Sequence, residues 1–347
     1  GIGLIRENWE LAGRLLALAS YAAISDYLFA TIPLFVLMGL LVSVSDVGKD
    51  TFDVAEALLR RVRGGLGMAT VAANTVFAAV TGISIASAAV FTKVAVPEML
   101  RHGYTLRFAT GAVAGSSILG MMIPPSLQMI IYGVLAEQTI GKMFIAGIIP
   151  GVMLALGFIA MIWLMATFTP SHVVVDPNRA KADLPPPMPI GEMLAKSVPI
   201  GALVFLIMGG LYSGFFTPTE AGGVGAFGAF LIALVRRRLD GPKLWRVLRE
   251  TGHVSVSILF LLIAAGLYSR MLSMAGIPSA IGDAVQNLGL GPYGFLIVYV
   301  AVVLLLGLIH MMRGGSPSKA QTLMRLRVLL QFAALVLIMG MLWWRGG

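Results

Sequence analysis

Within residues 64–97, Asn74, Thr75, Thr81, Gly82, Ser84 and Ser87 set an amide, four hydroxyls and a glycine backbone into an otherwise apolar stretch. A second group, Gly115, Ser116, Ser117, Gly120 and Ser126, surrounds the dipeptide Pro124-Pro125. Oxygen donors of this kind, with uncapped carbonyls at the end of half a helix, suit a small hard cation such as Na⁺. Thr81, Gly82 and Ser84 are the candidate ligands for it. Amide donors at the start of the next half-helix suit an anion. The competing reading is that small and hydroxyl residues let membrane helices pack closely. That reading accounts for any single serine, whereas clustering at one turn favours a binding site.

The length of the stretch sets the turn. It reads GGLGMATVAANTVFAAVTGISIASAAVFTKVAVP, with basic residues on both sides. One membrane-crossing helix needs about 20 apolar residues, and two with a turn need roughly twice that. Residues 64–97 fit neither, but they fit a hairpin of two half-length helices that enters and leaves the bilayer on the same side. Irregular backbone survives at membrane depth only where protein buries it or it lines a wet cavity. The second group sits in GSSILGMMIPPSLQMIIYG, residues 115–133. Two adjacent prolines remove two backbone donors and break that helix mid-membrane. A broken helix facing a hairpin tip would line one half of a midplane site.

Composition agrees with this setting. Hydrophobic residues make up 58% of the chain and charged residues only 12%, against about a quarter charged in soluble domains. An all-α, polytopic integral membrane protein is expected. Spans are predicted at 28–47, 106–135 with its break, 143–168, 193–212, 217–235, 252–270, 291–309 and 327–344. Residues 1–22 and 49–63 look amphipathic and interfacial. The polar segment 170–192, with Pro185-Pro186-Pro187, divides the chain into halves.

Most of the 25 lysines and arginines lie in 49–63, 98–107, 170–196, 236–249 and 313–327. These stretches share one side only if 64–97 is re-entrant and 106–135 crosses once. The positive-inside rule makes that side cytoplasmic. A net charge of +9 therefore signals topology, not nucleic-acid binding.

Other chemistry is thin. With no cysteine, disulfides and thiolate sites are excluded. His102, His172, His253 and His310 are scattered near helix ends or in loops, and none has a partner at metal-ligand spacing. Thr217 or Thr219 can cap the helix opening at FFTPTEAGG, with Pro218 and Glu220 in its first turn. Lys93 is expected to snorkel. GGLG at 64–67 lacks the ending of a phosphate loop, and no nucleophile, base or metal constellation supports an enzyme.

The segments IPLFVLMG (32–39), AEALLRRVRGGLGMATV (55–71), FAAVTGISIASAA (77–89), PEMLRHGY (97–104), IPPS (123–126), FIAGIIPGVM (144–153) and FTPTEAGGVGA (216–226) resemble, in order and spacing over about 20–300, the large DctM-like membrane subunit of tripartite ATP-independent periplasmic (TRAP) transporters. The resemblance implies a Na⁺-coupled importer of organic acids in the bacterial inner membrane. It also implies a small membrane subunit, a periplasmic substrate-binding protein and an elevator mechanism with two inverted repeats. The corresponding organisation is 1–63 as interfacial helix, first span and arm, and 64–169 as first repeat. It continues with 170–192 as cytoplasmic linker, 193–294 as the start of the second repeat and 295–347 as a two-helix tail.

After residue 300 the pattern departs. The family would continue into a second broken helix and a second hairpin, yet RGGSPSKAQTLMRLRVLLQF (313–332) resembles the small hypoxia-induced-gene family of two-helix membrane proteins. Those relatives associate with respiratory oxidases, so a non-transporting protein docked on an oxidase is the alternative reading. The chain is expected to supply one half-site, to lack the family's first helices, and not to transport alone.

Overall fold

The computed structural model describes residues 27–136, 138–175 and 188–287, with isolated residues outside these ranges. The predicted interfacial segment 1–22, the proline run at 185–187, the spans at 291–309 and 327–344 and the tail 295–347 lie wholly or largely outside the described residues. Two compact units are formed, one of residues 22–262 and one of residues 1–21 with 263–347.

A short 3-10 turn, Tyr27–Ala30, leads into α1 (Thr31–Val44), an apolar helix with no charged residue. It stops at Ser45, whose hydroxyl donates to the Val42 carbonyl at 2.7 Å. The chain then bends by 63° into α2 (Val47–Leu59). This is the amphipathic arm read from 49–63. Val47, Thr51, Phe52 and Ala55 are buried on its inner side. Asp46, Asp50 and Asp53, spaced four and three apart, share one side of the helix. They pair with Arg238 at 2.9 Å, with Arg236, and with Lys196 at 2.8 Å.

The expected hairpin follows as α3 (Gly65–Thr81) and α4 (Ser84–Arg101), separated only by Gly82 and Ile83. At 17 and 18 residues and 1.5 Å rise per residue, each is about 25 Å long. Both are longer than half a bilayer's hydrocarbon thickness of about 15 Å, and α4 continues past Pro97 to Arg101 instead of stopping at the proline. The broken helix is α5 (Leu106–Ser117), α6 (Leu119–Met122) and α7 (Leu127–Leu135), bent by 42° at the proline pair. Thr105 caps α5, accepting from the Phe108 amide at 3.2 Å.

Then come α8 (Ile140–Phe168), the single turn α9 (Pro170–Val173), α10 (Ile190–Tyr212), α11 (Pro218–Val235), α12 (Gly241–Met274) and α13 (Ile277–Asn287). α8, α10, α11 and α12 are each long and apolar enough to cross a membrane, and the two bent pairs raise the total to six among the described residues. Their outer faces carry exposed apolar side chains such as Ile149, Phe205, Phe227 and Phe260, which suits contact with lipid tails.

The core of the larger unit is built on α1 and α3. Phe77 of α3 meets Phe91 of α4 edge-on at 5.5 Å, and Phe35 of α1 meets Phe144 of α8 at 6.4 Å. Such edge-to-face pairs add about 0.5–1.5 kcal/mol each beyond their buried area. A buried hydrogen bond of 2.6 Å between the Thr31 and Thr219 hydroxyls ties α1 to α11.

Candidate functional site

The hairpin tip and the helix break touch. Gly82 ends α3 at φ +59°, and its amide donates to the Ala78 carbonyl at 3.0 Å. Its own carbonyl accepts from the Leu127 amide, the first residue of α7, at 3.1 Å. A Cβ on Gly82 would lie 2.5 Å from the Pro125 carbonyl oxygen, so only glycine satisfies both the backbone angle and the approach. On the opposite side of the break, a Cβ on Gly120 would lie 3.2 Å from the Ser84 amide nitrogen. Pro124 and Pro125 are buried, and Ser126 closes the break by donating to the Met121 carbonyl at 2.7 Å.

A helix leaves its last four carbonyls without internal partners. At the end of α3 the Ala78 carbonyl is satisfied by Gly82, but those of Ala79, Val80 and Thr81 receive no hydrogen bond among the described residues. Val80 and Thr81 are fully buried. A buried carbonyl without a donor costs free energy that a cation would offset. The oxygen donors present therefore fit a small hard cation. The Thr81 hydroxyl points back along α3, donating to the Phe77 carbonyl at 3.0 Å, and the Thr81 carbonyl oxygen faces α1, where a Cβ on Gly39 would come within 2.7 Å. Gly39 was not singled out in the sequence, because a glycine in an apolar helix reads as ordinary packing.

At the start of α4 no side chain caps the helix. Its first amides are donors of the kind that receive anions. Ser87, in the next turn, is fully buried and its hydroxyl lacks a partner among the described residues.

About two turns before the tip, α3 and α5 share a second contact. The Asn74 amide donates to the Ser116 hydroxyl at 2.8 Å and approaches that of Ser117 at 3.4 Å. Both serines also donate to the Val113 carbonyl. The Asn74 carbonyl oxygen, fully buried, has no partner among the described residues. Thr75 is not part of this contact, since its hydroxyl donates to Val71 of its own helix at 2.7 Å.

Beside the tip lies a cavity of about 470 Å³. Val36, Leu40, Ile83, Ile85, Ala86 and Ala89 form its apolar wall, and Asp46, Arg238, Lys243, Arg246 and Glu250 contribute charge. The space joins the hairpin tip to the basic junction between α11 and α12.

A model of the family described as "Tripartite ATP-independent periplasmic transporter, DctM component" matches residues 9–312. The chain belongs to the DctM family. Among its relatives, the C4-dicarboxylate TRAP transporter large permease protein of Pseudomonas aeruginosa is 35% identical over 298 residues, covering 85% of this chain and 67% of the relative. The 2,3-diketo-L-gulonate large permease protein of Escherichia coli is 31% identical over 279 residues, covering 80% and 64%. The ectoine large permease protein of Halomonas elongata is 32% identical over 274 residues, covering 77% and 61%. The chain thus spans roughly two thirds of the length of these relatives. A model described as "Hypoxia induced protein conserved region" matches residues 292–341, the tail that departs from the DctM pattern.

Family membership places this chain among transporter permeases and not enzymes. In this DctM chain Lys93 is exposed on α4, as snorkelling requires. Thr217, not Thr219, caps α11. Its hydroxyl accepts from the Glu220 amide at 3.3 Å, and Glu220 accepts from the Thr217 amide at 2.8 Å, a reciprocal capping box. Glu220 is thereby engaged in holding the helix start.

The histidines need one correction. His102 has carboxylate neighbours: one ring nitrogen of His102 and one carboxylate oxygen each of Glu56 and Glu98 lie within 4.8 Å of one another. Glu98 stands in the last turn of α4 and His102 directly follows that helix, four residues on; Glu56 belongs to α2, so its part in the grouping shows only once the helices are packed. His253 lies inside α12, which begins earlier than predicted.

Proposed function

We propose that the chain is the large membrane subunit of a TRAP-type importer of small carboxylates, held in the bacterial inner membrane and coupled to Na⁺. The observation that carries this reading is the tip contact. A helix end with buried, unpartnered carbonyls at Val80 and Thr81 meets a proline-broken helix through the 3.1 Å bond from the Leu127 amide to Gly82. Na⁺ binds at this helix end, with Thr81 and Gly82 supplying backbone and Ser84 a hydroxyl. Because the Gly82 carbonyl already accepts from Leu127, the Ala79, Val80 and Thr81 carbonyls carry more of the ligation than Gly82.

The carboxylate is received by the first amides of α4 and by the small polar residues around it, among them Ser87, Ser116, Ser117, Gly120 and Ser126. Asn74 holds the two helices in register. The cavity beside the tip gives the anion a route between the site and the basic residues Arg238, Lys243 and Arg246. The reading includes motion of the hairpin and broken helix as one body, in an elevator manner, and their mutual hydrogen bonds support it. The word tripartite in the family description supports a small membrane subunit and a periplasmic substrate-binding protein as partners.

The match of residues 292–341 to the hypoxia-induced conserved region favours a second reading, in which the tail docks the protein on a respiratory oxidase. Affinity purification of the tagged full chain, co-expressed with the two candidate TRAP partners in membranes that also contain the oxidase, separates them. The first reading predicts recovery of the small subunit and, with carboxylate present, of the binding protein. Recovery of oxidase subunits alone would establish the second reading instead.

A further inference from the structure

A groove of about 200 Å³ runs between α3, α5 and α8, and shares no lining residue with the cavity beside the tip. Gly111 and Gly115 of α5 line one side, and Phe158, Met161 and Met165 of α8 the other. A Cβ at Gly111 would meet nothing within 4 Å, whereas one at Gly115 would lie 3.3 Å from the Phe158 ring, so the groove is open at Gly111 and narrows at Gly115. Arg107, one turn before Gly111, is the one ionisable group among the described lining residues. From Arg107 to Gly115 the groove follows α5 for about 12 Å, at 1.5 Å per residue. The Arg107 end is held in place by Thr105, whose amide and hydroxyl donate to the Val173 and His172 carbonyls at 3.0 and 2.9 Å. Gly64 packs at the same end: its Cβ would lie 2.8 Å from Ala166 and 3.3 Å from Ile162, itself a lining residue. The exposed Arg63 directly precedes Gly64, with Arg61 two residues further back and exposed as well. Trp163, 45% exposed on α8, is of the type that collects at the headgroup level of a membrane.

We propose that this groove binds one anionic phospholipid, with an acyl chain laid between α5 and α8 and the phosphate on Arg107. An apolar slot that ends at a cation matches an amphiphile and not a polar solute. The guanidinium offers a planar fork of donors that fits phosphate oxygens. Arg61 and Arg63 add to the same positive field, each cation near an anionic membrane surface being worth about fivefold in affinity. A zwitterionic headgroup would bring an ammonium group into that field, so charge complementarity selects the anionic lipid. These three arginines belong to basic stretches that the positive-inside rule assigns to the cytoplasm, and the lipid therefore comes from that leaflet. Val71 of α3 also lines the groove, one turn before the Asn74–Ser116 contact, so the bound chain braces the hairpin against the broken helix. The site is independent of which solute the chain carries.

Native mass spectrometry of the delipidated full chain, titrated with phosphatidylglycerol or with phosphatidylcholine of the same acyl chains, tests the assignment. One saturable phosphatidylglycerol adduct is expected, at least fivefold tighter than phosphatidylcholine and undisturbed by millimolar inorganic phosphate. Arg107→Gln is expected to weaken phosphatidylglycerol at least fivefold, and Gly111→Leu, which fills the slot, to weaken both lipids. Lys142→Gln, at the other end of α8, is expected to change neither. The comparison of the two lipids on the unsubstituted chain needs no variant to fold. Equal affinity for the two lipids, unchanged phosphatidylglycerol binding in Arg107→Gln, or displacement by inorganic phosphate would overturn the proposal. So would a dimer that persists without lipid and is broken by Gly111→Leu, since a second copy would then occupy the groove.

Discussion

Gly82→Ala is the sharpest perturbation of the tip. The added methyl would sit 2.5 Å from the Pro125 carbonyl oxygen and 3.3 Å from its carbon, both backbone atoms that cannot swing aside, at φ +59°. The left-handed conformation costs a residue with a Cβ about 1–2 kcal/mol, and forced overlap in a packed interior costs a further 1–3 kcal/mol or so. A loss of about 2–5 kcal/mol is expected. Gly82→Asn separates the two causes, since asparagine tolerates the left-handed region yet keeps the clashing Cβ. It should recover only the conformational part. Gly111→Ala is the control, because its Cβ meets nothing within 4 Å and alanine in a helix interior gains up to about 1 kcal/mol over glycine. Reversible unfolding in mixed micelles, followed by circular dichroism, gives the comparison. If Gly82→Ala unfolds like the unsubstituted protein, the close approach of tip and break is refuted.

Other consequences follow from particular contacts. Asn74→Ala removes the 2.8 Å bond to Ser116 and should lower stability by about 1–3 kcal/mol, a buried hydrogen-bond effect, as read by the same unfolding assay. Thr31→Val leaves the Thr219 hydroxyl without its 2.6 Å partner, so the single change should cost about 1–3 kcal/mol while Thr31→Val with Thr219→Val is nearly neutral. Asp50→Asn and Arg236→Gln each break a half-buried ion pair; a double-mutant cycle should show a coupling of about 1–2 kcal/mol, between the values for exposed and buried pairs. Raising salt from 0.05 to 0.5 M should weaken the more exposed Asp46–Arg238 coupling more than that of Asp50–Arg236.

Local features of the fold were legible in the sequence for physical reasons. Pro124-Pro125 cannot continue a helix, so the break showed at the dipeptide, and the small polar run Thr81 to Ser87 marked the region of the turn. The basic stretches and the length of 64–97 together pointed to a hairpin. Helix ends were less legible: α4 runs through Pro97 to Arg101, where a proline ordinarily marks a stop. Contacts between distant segments stayed hidden. Asp46, Asp50 and Asp53 visibly share a side of α2, but their partners at 236, 238 and 196 follow only from the packing of α10 and α11 against it. Gly39 and the grouping of Glu56 with His102 were hidden for the same reason. At the tip, Thr81 and Gly82 stand where α3 ends, whereas the engagement of the Gly82 carbonyl by Leu127 required the second helix to be in position.

The central claim is that the end of α3 binds Na⁺, and direct binding of ²²Na⁺ to the purified full chain tests it. The account predicts saturable binding displaced by NaCl but not by choline chloride, weakened at least tenfold by Gly82→Ala and measurably by Ser84→Ala. An absence of saturable binding, or both variants binding as the unsubstituted chain does, would contradict it.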